Sequence, residues 1–261
     1  MESKNDMSRT VSIVLNGKGG IGKSFIASCL QQAAMEISSH ATDLSSCEES
    51  VLGIDTDPSN HTLKKYKSLN VQNIEIMDEH QNINGMVFDD LVNSVIENSG
   101  PVIIDIGTTT FLPFLGYLVE NEAIQSIQSF GKTVVFHVPI VGGQGFNDTL
   151  NGLLSVVDKT TAPIVVWENE HIDGEVSYEG KKVSSSKLFL ENKARFMGVI
   201  TLYKRNPATF GADLKLMTSS SMTFEDARNS DLFGLMPKQR ITKVWECIYS
   251  QITNIFSGGI K

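Results

Sequence analysis

Residues 17–24 read Gly-Lys-Gly-Gly-Ile-Gly-Lys-Ser, and a glycine run closing on Lys-Ser has one established structural place, the turn where a strand hands over to a helix. Glycines let backbone N–H groups converge on one point with no Cβ in the way. The spacing satisfies G-x-x-x-x-G-K-[ST], in which amides cradle phosphates, the lysine reaches the outer phosphates and the hydroxyl ligates Mg²⁺. Lys23 and Ser24 hold those two positions. Gly17, Lys18, Gly19, Gly20, Ile21 and Gly22 form the cradle, and Phe25 follows into the helix. The positive end of that helix adds to the field. Residues 10–16 are a β-branched run suited to a buried strand, whereas Phe25, Ile26, Cys29, Leu30, Ala33 and Ile37 recur at helical spacing.

Gly17, Gly19 and Gly22 also satisfy G-x-G-x-x-G, the dinucleotide fingerprint. That fingerprint expects an acid about 20 residues on, to hold a ribose. The chain offers Ser39, His40, Ala41 and Thr42 there, with Asp43 the nearest acid in a polar stretch. Lys23 and Ser24 have no part in a dinucleotide site and a clear one around a triphosphate with Mg²⁺. The P-loop reading holds.

Apolar strands and amphipathic helices then alternate to the end of the chain. The pattern predicts strands over 51–55, 74–77, 102–106, 133–139, 163–168 and 196–203, and helices over 23–37, 85–98, 114–129, 146–159, 206–217 and 238–256. Such alternation implies an α/β fold, a mainly parallel twisted sheet with helices on both faces. At 261 residues the expectation is a single P-loop domain over 1–261. Residues 38–50 read as an acidic surface loop, and 169–186 as a flap or hairpin elaboration.

Ligands in such folds sit beyond the carboxyl ends of the strands, so the residues leaving each strand matter most. Asp55-Thr56-Asp57-Pro58 follows the second strand. Asp57 is placed to orient an attacking water, since phosphoryl transfer depends on positioning, and Asp55 to hold water around Mg²⁺. Asp57 with Pro58 also suits a helix cap, and both roles can hold at once. The apolar run 102–104 ends in Asp105, the acidic position that supports Mg²⁺ in P-loop enzymes. Gly107 lets the chain turn near a γ-phosphate. Thr108, Thr109 and Thr110 supply hydroxyls there or cap the next helix. Asn169 leaves the strand over 163–168, where its amide suits reading a base edge, or a turn.

Net charge is −8, which disfavours a general nucleic-acid binder. Lys64, Lys65 and Lys67, and the pair Lys181 and Lys182, read as solvated faces before nucleic-acid sites. No stretch approaches the roughly 18–20 apolar residues of a membrane span. The polar start and three cysteines without a C-x-x-C pair lead to an expectation of a cytoplasmic protein with reduced thiols. The last helix carries Ile241, Val244, Trp245, Ile248, Ile252, Ile255 and Phe256 on one face, as core packing or a dimer surface requires. Membrane contact through the flanking Lys238, Arg240 and Lys243 is the lesser reading.

The glycine loop with Lys18, the Asp-Thr-Asp-Pro segment and the strand ending in Asp105 together resemble the deviant Walker A P-loop ATPases. That class includes the ParA/MinD-like proteins of plasmid partition and division-site selection, the arsenical pump and the nitrogenase iron protein. Over 15–27, 53–78, 102–111, 165–169, 209–217 and 222–227 the chain is most similar to the TraL family of plasmid conjugal transfer. The resemblance implies a Mg²⁺-ATP switch with catalytic residues Lys18, Lys23 and Asp57. Lys18 would reach across a nucleotide-dependent homodimer to the partner's phosphates, so turnover would be slow and partner-stimulated. It implies conjugation or DNA-transfer proteins as partners. The alternative is a partition-type motor whose ATP-bound dimer coats DNA, which the acidic charge disfavours. No cysteine lies between Cys47 and Cys247, so the mid-chain cluster ligands of the iron protein are missing and electron transfer is excluded. The segment after Asp105 also lacks the Pro-Pro of partition relatives.

Overall fold

The computed structural model describes residues 7–41, 51–58, 60–77, 83–177 and 180–256. Its strands are β1 (Thr10–Val14), β2 (Leu52–Asp55), β3 (Val71–Asn73), β4 (Val102–Asp105), β5 (Thr133–Val141), β6 (Ile164–Asn169) and β7 (Phe196–Leu202). They form one sheet in the order β3-β2-β4-β1-β5-β6-β7, and every ladder pairing is parallel. Parallel strands are covered on both faces and so read as unbroken apolar runs. β4 is such a run as far as Asp105; β1 includes Thr10 and Ser12 and β5 includes His137, yet all three strands are buried along nearly their whole length.

The helices are α1 (Lys23–Ala41), α2 (Val87–Glu97), α3 (Phe111–Glu120), α4 (Ala123–Ser129), α5 (Phe146–Lys159), α6 (Lys187–Glu191), α7 (Ala212–Ser219), α8 (Phe224–Asn229) and α9 (Leu235–Phe256). Side chains alternate across the sheet, which separates two cores. Ile13, Ile104, Phe136 and Val166 pack with Phe88 of α2, Phe114 of α3 and Leu153 of α5. Val14, Ile103, Val135 and Trp167 pack with α1, Phe224 of α8 and Trp245 of α9. Each fully buried side chain of this size contributes about 1.5–3 kcal/mol. The central β1 sends α1 toward β2 on one side, while β5 continues the sheet on the other. That reversal of strand order opens a crevice at the carboxyl ends, beside β1 and β4.

Several predicted boundaries are corrected. The third strand is Val71–Asn73 rather than 74–77. β2 ends at Asp55, and the amide of Ile74 takes the carbonyl of Asp55 as its last bond. Ile74 and Ile76 are buried beyond the ladder, which is why their spacing imitates a strand. The predicted helix 114–129 is two helices, α3 and α4, broken where Glu122 takes a left-handed φ of 48°. The predicted helix 206–217 opens as a π turn, Pro207–Gly211, before α7. α1 runs to Ala41, so the first part of the expected loop 38–50 is helical, and 42–50 lie outside the described residues. Within 169–186, Asn169 ends β6, and the other described residues are turns and irregular backbone, with a single bridge residue at Lys181 and the 3-10 turn Val183–Ser185. Val176 and Val183 bury their side chains in the core.

Candidate nucleotide site

The glycine loop is tethered at its start by a residue with no motif value. Asn16 is buried and donates to the carbonyls of Pro139 and Thr149, both at 3.0 Å. Its Oδ1 accepts the amide of Lys18 at 3.2 Å. One amide side chain thus ties the end of β1 to β5 and α5. Further along, Gly20 and Gly22 have φ of 73° and 88°, a conformation that L residues adopt only under strain. The carbonyl of Gly22 accepts the amide of Ile26 at 2.9 Å, opening α1.

Lys23 is buried, and its ammonium donates to the carbonyl of Lys18 at 2.9 Å and to Thr108 Oγ1 at 3.0 Å. Burial pulls its pKa down, while Asp105 and Asp57 oppose that shift. Asp105 lies at the end of β4, fully enclosed. Burial pushes its carboxyl up to about 7; a hydrogen bond with Ser24 works the other way, Asp55 raises it further, and Lys23 lowers it. Asp105 Oδ2 has no hydrogen-bond partner among the described residues. A buried carboxylate oxygen left so costs about 1–3 kcal/mol or more unless a cation or donor reaches it.

Asp55 is buried with its oxygens engaged: Oδ1 accepts the amide of Asp57, and Oδ2 that of Lys64, both at 3.0 Å. It fixes the loop that carries Asp57. Asp57 Oδ1 accepts the amide of Asn60 at 3.2 Å, which closes a turn; the expected helix cap is corrected, since no helix begins at Pro58 and the 3-10 turn that follows starts at Leu63. Asp57, Lys23, Ser24, Asp105 and Thr108 line one cavity of about 360 Å³ with Gly19 and Gly20.

A second cavity of about 650 Å³ adjoins it across Gly22, Phe25 and Thr218, which line both. Its walls include Asn169, Tyr203, Arg205, Leu214 and Ile248, from the ends of β6 and β7 and from α7 and α9. Together the two form a cleft with a charged half and an apolar half. Asn169 stands at the junction, its Nδ2 donating to the carbonyl of Ile21 at 3.1 Å and its Oδ1 accepting the amide of His171 at 3.2 Å. In this arrangement it braces the glycine loop. Sequence reasoning missed Asn16, Tyr203 and Arg205; the strand-exit rule, applied at β7, would have found the last two.

Lys18 stands apart from the cavity. Its ammonium donates to Asp148 Oδ2 on α5 at 2.8 Å, with both side chains about half exposed. Among the described residues no three His, Cys, Asp or Glu side chains converge as a metal site. Mg²⁺ does not need them, because one or two carboxylates plus substrate phosphates and water suffice for it. The orphaned oxygen of Asp105, with the Ser24 hydroxyl at its side, fits that ion. No helix among the described residues is long and apolar enough to cross a membrane.

A glycine cradle that carries Lys18, set between a buried parallel strand and a helix and facing two strand-end aspartates, defines a P-loop α/β protein of the deviant Walker A type. No family model matches the chain. Two curated proteins do, each called "Protein TraL" and each from Escherichia coli. One is 33% identical over 244 residues, 93% of this chain and 96% of the relative. The other is 33% identical over 246 residues, 94% and 97% respectively. The chain belongs to the TraL family. Among solved structures it is similar to a plasmid partition protein from Borrelia burgdorferi, at 14% identity over 94% of this chain and 99% of that one, with a TM-score of 0.39. A second structure of a plasmid partition protein from that organism gives 15% identity, the same coverage and a TM-score of 0.34.

Proposed function

We propose that the chain binds Mg²⁺-ATP, hydrolyses it slowly, and acts as a nucleotide-dependent switch on protein partners in plasmid conjugal transfer. The observation that carries this reading is the meeting of Lys23 and the unsatisfied oxygen of Asp105 in one cavity under the glycine loop. A buried ammonium and a buried carboxylate beside a ring of amides suit a phosphate chain with its cation.

Each residue then has a role. Amides of Gly19 to Ser24 hold the phosphate oxygens, and Lys23 neutralises charge on the outer two phosphates. Ser24 and Asp105 would hold Mg²⁺, with Asp55 shaping the loop beside it; once bound, the ion would supply charge neutralisation for the phosphates. Asp57 orients a water against the γ-phosphorus. The new P–O bond forms as the bond to the β–γ bridging oxygen breaks, giving ADP and phosphate. Phe25 and Asn169 sit where phosphates give way to the base. The apolar cavity takes the base, with Tyr203 and Arg205 in its wall.

Lys18 is held by Asp148 within its own chain, so its action on a partner's phosphates requires that exposed pair to open. Exposed pairs are worth only about 0–1 kcal/mol, a small barrier for dimer closure. Steady-state phosphate release with Mg²⁺-ATP tests the proposal. Turnover should vanish in Lys23→Ala and Asp57→Ala, and wild-type turnover that survives in both would refute it. Tight, salt-sensitive DNA binding by the ATP-loaded protein would favour the partition-type motor instead.

A further inference from the structure

Thr108 lies three residues beyond Asp105, on the segment that leads into α3. Its hydroxyl accepts from Lys23 Nζ at 3.0 Å, so the lysine of the glycine loop is joined to a residue outside that loop. Thr108 Oγ1 also lies 3.6 Å from where a Cβ on Gly19 would stand. Its neighbours differ. Thr109 is exposed, and Thr110 is buried with its amide on the carbonyl of Gly107. Of the three threonines, Thr108 lines the cavity shared by Lys23, Ser24, Asp57 and Asp105.

Two links run outward from it. The amide of Gly107 donates to Thr56 Oγ1 at 3.3 Å, and a Cβ on Gly107 would stand 3.1 Å from the Cα of Asp57. The segment carrying Thr108 therefore lies directly against the segment carrying Asp57. On the other side Phe111 opens α3, and its ring lies 3.2 Å from where a Cβ on Gly17 would stand. Thr108 therefore stands between the segment of Asp57 and the root of the glycine loop.

We propose that Thr108 is the positioning residue by which this site distinguishes a nucleoside triphosphate from a diphosphate; the inference rests on the nucleotide reading above. A hydroxyl both donates and accepts. Toward Lys23 it accepts. A γ-phosphate oxygen takes the ammonium's hydrogen bond, and the same hydroxyl turns to donate to that oxygen. A diphosphate has no such oxygen and leaves the bond between Lys23 and Thr108 in place. The triphosphate thus gains a charge-assisted hydrogen bond and draws the segment 106–110 toward the glycine loop, with Asp57 alongside.

Calorimetric titration with a non-hydrolysable ATP analogue and with ADP, both with Mg²⁺, tests this on the wild type, Thr108→Val, Thr108→Ser and Thr109→Val. Valine keeps the shape and deletes the hydroxyl. Thr108→Val should weaken the analogue about ten-fold and ADP less than about two-fold, a charged hydrogen bond being lost for one ligand alone. Serine should restore the wild-type ratio, and Thr109→Val should leave it unchanged. Equal losses for both nucleotides in Thr108→Val, no loss at all, or no rescue by serine would overturn the assignment. A wild type that binds neither nucleotide would overturn the site reading itself, and Thr108 with it. Normal wild-type binding with an unaltered Thr108→Val ratio would overturn Thr108 alone.

Discussion

Burial sets the chemistry of single residues here more than sequence neighbours do. Lys23 and Asp105 are recognisable from their motifs, yet their work depends on being enclosed together, where charge interactions strengthen. Asp105→Asn should therefore keep the fold and cut Mg²⁺-dependent phosphate release about 100-fold or more; near-normal turnover would remove Asp105 from the metal role. His137 shows the same principle away from the site. It is fully buried in β5, and its Nδ1 accepts the indole N–H of Trp167 at 2.9 Å. Burial pushes its pKa from the ordinary 6.5 down to about 3. Between those values the unfolded chain binds a proton that the folded chain does not. The contribution of His137 to stability is then full above about pH 6.5 and falls as pH drops toward 3, at about 1.4 kcal/mol per pH unit, against the opposite slope of the raised Asp105 carboxyl. His137→Gln retains an acceptor for Trp167 and removes the titration. Its melting midpoint should fall less than that of the wild type between pH 6.5 and 4.5, and parallel curves would contradict the account.

Elements were legible where their causes are local. The passage from β1 through the glycine loop to α1 combines a β-branched run, positive-φ glycines and helical spacing within 32 residues, Thr10 to Ala41. The same sequence reading singled out Lys23, Asp57 and Asp105, which line one cavity, because strand exits are local too. It failed where a partner decides. β3 is Val71–Asn73 because β2 offers a ladder only up to Asp55, and nothing within 71–77 encodes that limit. The break between α3 and α4 rests on one left-handed residue, Glu122, which is no glycine. Asn16 was invisible because its partners, Pro139 and Thr149, lie more than a hundred residues away. α9 holds another long-range device. Gln251 accepts the amide of Thr201 at 2.8 Å and donates to its carbonyl at 3.1 Å, closing the open edge of β7 as a neighbouring strand would. Gln251→Ala should cost about 1–3 kcal/mol in urea unfolding, against no measurable change if the contact is incidental.

At the scale of the whole molecule, one sheet separates two cores and brings the ends of β1, β2, β4, β6 and β7 to one cleft. β1 delivers the glycine loop, β2 delivers Asp57, β4 delivers Asp105 and β6 delivers Asn169. The exposed pair of Lys18 and Asp148 lies apart from that cleft, on the surface beside α5. If Lys18 serves a partner's phosphates, Lys18→Ala should leave nucleotide affinity within about two-fold and slow turnover about 100-fold; comparable losses in both would argue that it acts within its own chain. In sizing chromatography, Asp57→Ala should run as a dimer with ATP and as a monomer with ADP. All of this depends on the glycine loop gripping a triphosphate. The most direct test is isothermal titration of ATP, with Mg²⁺, into the wild-type protein and into Lys23→Ala. Saturable one-site binding that the substitution abolishes is the expected result; no heat from the wild type, or equal binding by both proteins, would contradict it.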